Sequence, residues 1–141
     1  VRRRSLLLVR DVMTENPTTV SPNDTLRTAI EKMSKIGCRR LPVVEGGRVV
    51  GIVANLDVRE ALNSPIVLHE RWQDEQLLDH STVAACMTLE PLIVTPETSV
   101  VEAARLMRDR KIGGLPVVDG GTLVGIVTET DLLDALIALL S

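Results

Sequence analysis

Residues Val12–Leu62 read VMTENPTTVSPNDTLRTAIEKMSKIGCRRLPVVEGGRVVGIVANLDVREAL, and Cys86–Leu136 read CMTLEPLIVTPETSVVEAARLMRDRKIGGLPVVDGGTLVGIVTETDLLDAL. The two stretches align without a gap at a constant offset of 74, the difference between Met87 and Met13, Pro116 and Pro42, and Asp131 and Asp57. Roughly 20 of about 51 positions are identical, far more than a shared helix or strand pattern produces by itself, so one structural unit is built twice. Two copies with a long spacer predict a pseudo-two-fold pair, because a solenoid needs three or more stacked units. Such a pair has a groove between its halves, and function is to be sought there.

Within each copy a short extended piece, Thr18–Val20 or Leu92–Val94, is followed by Ser21-Pro22 or Thr95-Pro96. That pattern predicts a helix opening, since a hydroxyl caps free backbone N–H groups and Pro is tolerated at the first helical position. Leu26, Ala29, Ile30 and Met33, and in the second copy Val100, Ala103, Ala104 and Met107, form the apolar stripe of a half-buried helix. Gly37 is expected to end the first helix and Gly113-Gly114 the second. Two β-branched runs then flank Gly46-Gly47 or Gly120-Gly121, which predicts a hairpin with a tight primed turn. A closing helix is expected from Asn55 to Leu62 and from Glu129 to Leu140. The unit is β-α-β-β-α, with helices on one face of each small sheet, so the class is α/β (α+β) with two repeats packed sheet to sheet.

The expected boundaries are an N-terminal segment at 1–11, the first repeat at 12–62, a part-helical linker at 63–85 and the second repeat at 86–138. At 141 residues, 45% hydrophobic and 25% charged, the chain reads as globular, and no apolar run approaches the roughly 18 residues of a membrane span. A net charge of −3 argues against a nucleic-acid partner, which would require a clustered basic excess. The apolar run in SLLLVR is too short for a signal peptide, so a cytoplasmic setting is expected. Cys38 and Cys86 sit at non-equivalent positions without CxxC spacing, which predicts free, buried or half-buried thiols. In the spacer, Trp72 with Leu77 and Leu78 suggests a connecting helix covering a seam. His69 and His80 lie there among Glu70, Asp74, Glu75 and Asp79, at a separation that fits no zinc signature, so no metal is expected. No Cys/His or Ser/His/Asp set and no phosphate loop falls on the paired elements, and no catalysis is expected.

DVMT near the start, LPVV in the middle and GIV followed by an Asp, in that order and twice, resemble the CBS domain family, named for cystathionine β-synthase. The resemblance covers about residues 10 to 62 and 84 to 138. It implies tandem repeats packed sheet against sheet, pairs that associate into a homodimer, and a non-catalytic regulatory role toward an effector protein. It also implies an adenosine-containing regulatory ligand, AMP, ADP, ATP or S-adenosylmethionine, bound in the cleft between repeats with no cofactor required, and hence an energy-sensing role.

The family's ligand signature places a hydroxyl residue three positions before an Asp, and GIVTETDLL supplies Thr128 and Asp131. A carboxylate accepts hydrogen bonds from both ribose hydroxyls, while a hydroxyl and a helix N-terminus suit a phosphate. The first copy keeps Asp57 but has Ala54 in place of the hydroxyl residue, so unequal sites are expected, with the Asp131 site the stronger. By the family pattern the remaining contacts come from Thr18, Thr19, Val20, Arg40, Leu41 and Pro42 in one copy and Leu92, Ile93, Val94, Gly114, Leu115 and Pro116 in the other. With no Phe or Tyr, a purine would be held by aliphatic side chains and backbone, and Arg39 and Arg40, where the second copy has Gly113 and Gly114, could attract a phosphate.

Each assignment has a purely structural counterpart. Asp57 and Asp131 could only cap the final helix, Thr128 could assist that cap, and Arg39 and Arg40 could be solvated. A pair kept for dimerisation or partner docking would show the same sequence, and the leucine-rich DLLDALIALL helix favours that alternative.

Overall fold

The computed structural model describes residues 7–62, 71–89 and 91–141, with the backbone alone over 71–74. In chain order its elements are α1 (Val9–Val12), β1 (Thr14–Glu15), α2 (Leu26–Ile36), β2 (Arg40–Glu45), β3 (Arg48–Ala54), α3 (Asn55–Leu62), α4 (Arg71–His80), a 3-10 turn (Val83–Ala85), β4 (Thr88–Leu89), α5 (Val100–Arg110), β5 (Gly114–Asp119), β6 (Thr122–Thr128) and α6 (Glu129–Leu140). The fold is mixed helix and sheet, with two three-stranded antiparallel sheets of order β2-β3-β4 and β1-β6-β5. The closing helices α3 and α6 have the expected bounds. Gly46 and Gly47, and Gly120 and Gly121, hold consecutive positive φ values of 57° and 80° and of 58° and 85°, as a primed hairpin turn requires.

Two compact units divide the chain: Thr18–Pro91, and Val1–Pro17 together with Leu92–Ser141. The two-residue strand that precedes each repeat's first helix pairs with the hairpin of the other repeat. Thr14 and Glu15 oppose Ile126 and Gly125, while Thr88 and Leu89 oppose Ile52 and Gly51. The cores record the same exchange. Val20, Ala29, Met33, Leu41, Val43 and Val53 cluster with Val83, and their equivalents Val94, Ala103, Met107, Leu115, Val117 and Val127 cluster with Val9. Val9 and Val83 are themselves related by the offset of 74, so the duplication begins a few residues before Val12. Gly51 and Gly125 admit the crossing strands. A Cβ at Gly51 would lie 2.8 Å from the Thr88 carbonyl oxygen and one at Gly125 would lie 2.9 Å from that of Thr14.

Two local expectations are corrected. Ser21-Pro22 and Thr95-Pro96 do not open the helices. The Ser21 N–H donates to the Asp24 carboxylate at 2.8 Å and the Thr95 N–H to the Thr98 hydroxyl at 3.0 Å, closing a turn instead. The helices begin after it, capped by Thr25, which accepts from the Thr28 N–H at 3.1 Å, and by Ser99, which accepts from the Glu102 N–H at 3.0 Å. Nor does Gly113-Gly114 end α5. Lys111 takes the left-handed conformation at φ 54°, in the place that Gly37 fills at φ 78°. Hydrogen bonds donated by the Lys111 and Ile112 N–H groups to the Met107 carbonyl offset the roughly 1 kcal/mol that a side chain costs there. The Gly113 carbonyl is used elsewhere, accepting from the Glu129 N–H at 3.1 Å, and Gly114 starts β5.

Candidate functional site

Hairpin register brings the expected site residues together at the open end of each sheet. In the unit containing Leu92–Ser141, Gly114 is directly opposite Thr128, and Asp131 follows within the first turn of α6. The extended piece lies alongside, because the Val94 N–H donates to the Pro116 carbonyl at 3.0 Å and the Val118 N–H to the Val94 carbonyl at 2.8 Å. The unit Thr18–Pro91 repeats the arrangement. Arg40 is opposite Ala54, the Asn55 N–H donates to the Arg39 carbonyl at 2.8 Å, and the Val20 N–H donates to the Pro42 carbonyl at 3.1 Å.

Burial sorts these residues by what they can offer a ligand. Val20, Leu41, Val94 and Leu115 are at most 4% exposed and belong to the cores, and Pro42, Gly114 and Pro116 are also buried. Thr18, Thr19, Arg40, Asp57, Thr128 and Asp131 are half-buried, and Leu92 and Ile93 are exposed. The accessible aliphatic and hydroxyl groups therefore sit at the outer end of each extended piece.

The two aspartates are held differently. Asp131 forms a reciprocal cap with Thr128: its Oδ2 accepts from the Thr128 N–H at 2.9 Å and the Thr128 hydroxyl at 3.1 Å, while the Asp131 N–H donates to Thr128 Oγ1 at 3.3 Å. Thr14, which the sequence reading did not select, donates from its hydroxyl to Asp131 Oδ1 at 3.2 Å. Its only advance signal is the Thr of DVMT, which no local pattern connects to a residue so far along the chain. Among the described residues Asp57 makes a single capping contact, accepting from the Ala54 N–H at 3.0 Å. Burial, and then the neighbouring Asp57 charge, push the Cys86 thiol above its ordinary pKa, so this half-buried cysteine stays protonated at neutral pH.

Beside the start of α3, Arg39, Arg40, Ala54, Asn55, Leu56 and Arg59 line a recess of about 530 Å³. Arg59 was not singled out from the sequence, although its place four residues after Asn55 puts both on one helix face. A further cation, Lys32, donates from Nζ to the Thr19 carbonyl at 2.9 Å. Among the described residues no three His, Cys, Asp or Glu side chains form a metal-holding group, and no helix is long and apolar enough to cross a membrane. His69, Glu70 and the side chains of Trp72 and Asp74 lie outside the described residues.

Comparison with known proteins matches residues 9–64 and 83–138 to the CBS domain. A CBS domain-containing protein of Dictyostelium discoideum is 37% identical over 136 residues, covering 95% of this chain and 94% of that one. Among solved structures, that of CBSX2 in complex with AMP matches with a TM-score of 0.79 at 30% identity, over 94% of this chain and 98% of the other. The CBS domain pair of protein MJ0100, in complex with 5′-methylthioadenosine and S-adenosyl-L-methionine, matches with a TM-score of 0.81 at 27% identity, over 97% of this chain and all of the other.

Proposed function

The chain belongs to the CBS domain family, and from that premise we propose that it is a regulatory module binding an adenosine-containing ligand, with no catalysis of its own. The observation that carries this reading is the Asp131 carboxylate at the start of α6, half-buried beside the Thr128 hydroxyl and the end of the β5–β6 hairpin. A carboxylate has about four lone-pair positions, and three hydrogen bonds to Asp131 leave room for a ribose hydroxyl. The AMP complex of CBSX2 and the methylthioadenosine and S-adenosylmethionine complex of MJ0100 support an adenosyl ligand. The Asp131 site, with Leu92 and Ile93 exposed just before Val94 and the buried Gly114, Leu115 and Pro116 offering backbone groups, is the tighter of two. The Asp57 site draws on Thr18, Thr19, Arg40 and the backbone of Val20, Leu41 and Pro42.

A thermal-shift panel of AMP, ADP, ATP, S-adenosylmethionine and NAD on wild type and Asp131→Ala tests the reading. A ligand at about 100 times its Kd adds roughly 2.7 kcal/mol, several degrees in a chain of this size. The expected result is a shift that Asp131→Ala abolishes. No shift with any ligand at millimolar concentration would reject it.

A second reading, dimerisation or partner docking, is favoured by α6. Leu133, Leu136, Ile137, Leu139 and Leu140 are each at least half exposed, far more apolar surface than a solvated helix face carries. The two readings are compatible, and we propose a homodimer of pairs signalling to an effector protein. A monodisperse monomer in sedimentation would sink the homodimer. The free thiols Cys38 and Cys86 support a reducing, cytoplasmic setting.

A further inference from the structure

The recess beside α3 carries three guanidinium groups, from Arg39, Arg40 and Arg59, and no carboxylate among its lining residues. None of the three arginines joins an ion pair among the described residues. Like charges gathered at one recess repel, and that repulsion is relieved by an anion, most strongly by one that accepts bidentate hydrogen bonds. The backbone adds to this. In the other copy Thr128 Oγ1 accepts the Asp131 N–H. Ala54 has no hydroxyl to accept the Asp57 N–H, so the start of α3 lacks that half of the cap beside the arginines.

We propose that this recess selects a polyphosphate chain, so that the Asp57 site takes a nucleoside di- or triphosphate and discriminates against S-adenosylmethionine. The inference rests on the adenosyl reading for its nucleoside part, but the phosphate part stands on the arginines alone. A triphosphate brings three to four negative charges to three positive ones. S-adenosylmethionine brings a sulfonium and an ammonium against a single carboxylate, a net positive charge that the same arginines disfavour. The two copies thereby differ in kind: the Asp131 site grips the ribose, and the Asp57 site grips the tail.

Calorimetry on the whole chain at about 0.15 M salt tests this, with inorganic tripolyphosphate as the nucleoside-free probe beside adenosine, AMP, ATP and S-adenosylmethionine. The variants are Arg39→Ala combined with Arg59→Ala, both at exposed positions, and Arg48→Ala combined with Arg110→Ala, exposed and outside the recess, as a control for net charge. The expected result is tripolyphosphate binding that the double variant weakens by about tenfold or more and the control leaves unchanged. ATP is expected to bind at the Asp57-dependent site at least about tenfold more tightly than S-adenosylmethionine. Absence of tripolyphosphate binding, an equal loss in the control double variant, or equal affinity for S-adenosylmethionine would overturn the proposal. If adenosine or S-adenosylmethionine binds while tripolyphosphate does not, the recess inference fails and the adenosyl reading stands. If tripolyphosphate binds through the arginines while no adenosyl ligand binds, the adenosyl reading fails and the recess stands.

Discussion

The last helices of the two repeats open on the same carboxylate with the same backbone capping bond, and differ in the side chains around it. At α6, Thr128 and Asp131 cap each other and Thr14 ties the second carboxylate oxygen to β1. At α3, Ala54 removes the reciprocal half of the cap, and among the described residues Asp57 is left with one backbone contact in a setting of arginines. Duplication preserved the acid while the support for it diverged. A carboxylate held by three donors is preorganised and partly used, whereas one held by a single donor keeps more of its capacity in a field that favours anions.

The largest expected effect lies where the copies do not differ. Gly51→Val and Gly125→Val each force a side chain into a strand carbonyl less than 3 Å away, and each should cost about 3 kcal/mol or prevent folding. Urea denaturation of the two variants checks this, and a mild effect in one alone would show that its crossing strand yields. Next, Asp131→Ala should weaken AMP binding by about tenfold or more in calorimetry, and Asp57→Ala by less. Equal or reversed losses would mean that the Thr128 cap is structural and that the sites are ranked wrongly. A smaller effect concerns the caps themselves. Thr128→Ala should lower unfolding free energy by about 1 kcal/mol, and Ala54→Thr should raise it by up to about the same amount. If Ala54→Thr leaves stability unchanged, the start of α3 is already satisfied and the two helix starts are equally well capped.

The smallest effect is a pH dependence at Cys86. Its pKa is raised in the folded chain by burial and by Asp57, so folding favours the protonated thiol. That contribution is fully present below the unfolded pKa, about 8.5, and is lost as pH rises through the folded value. Stability should therefore fall more steeply above about pH 8.5 in wild type than in Cys86→Val, which carries the residue found at the equivalent Val12. Identical alkaline profiles in denaturant melts would remove the thiol from the account.

Much of this was readable in the amino-acid order because the signals were local. The Gly-Gly turns between β-branched runs and the apolar periodicity after them located both hairpins and both closing helices. Ser21-Pro22 misled because two hydroxyl residues in the same stretch, Ser21 and Thr25, both suit a cap, and Asp24 draws the first into a turn. Lys111 ends a helix in a conformation that its side chain disfavours, so composition pointed to the later glycines. Of the proposed site, Thr128, Asp131 and Asp57 were pointed to by the resemblance of GIVTETD and GIVANLD to the family's signature. Thr14 and Arg59 were not, since one reaches its partner only through strand exchange and the other acts through a recess that exists only after β2, β3 and α3 are assembled.

The exchanged strands also set an order of events during synthesis. Thr18–Pro91 has every strand of its sheet once Leu89 has emerged, only some forty residues after Gly51. β1 is made first but waits for Gly125 and Ile126, more than a hundred residues later. At about 5–20 residues per second that is a delay on the order of 5–20 seconds. The second-copy sheet therefore closes on a strand that was translated before any of its other members, and a tag, cleavage or truncation reaching Thr14 would leave the far end of the sequence short of one strand.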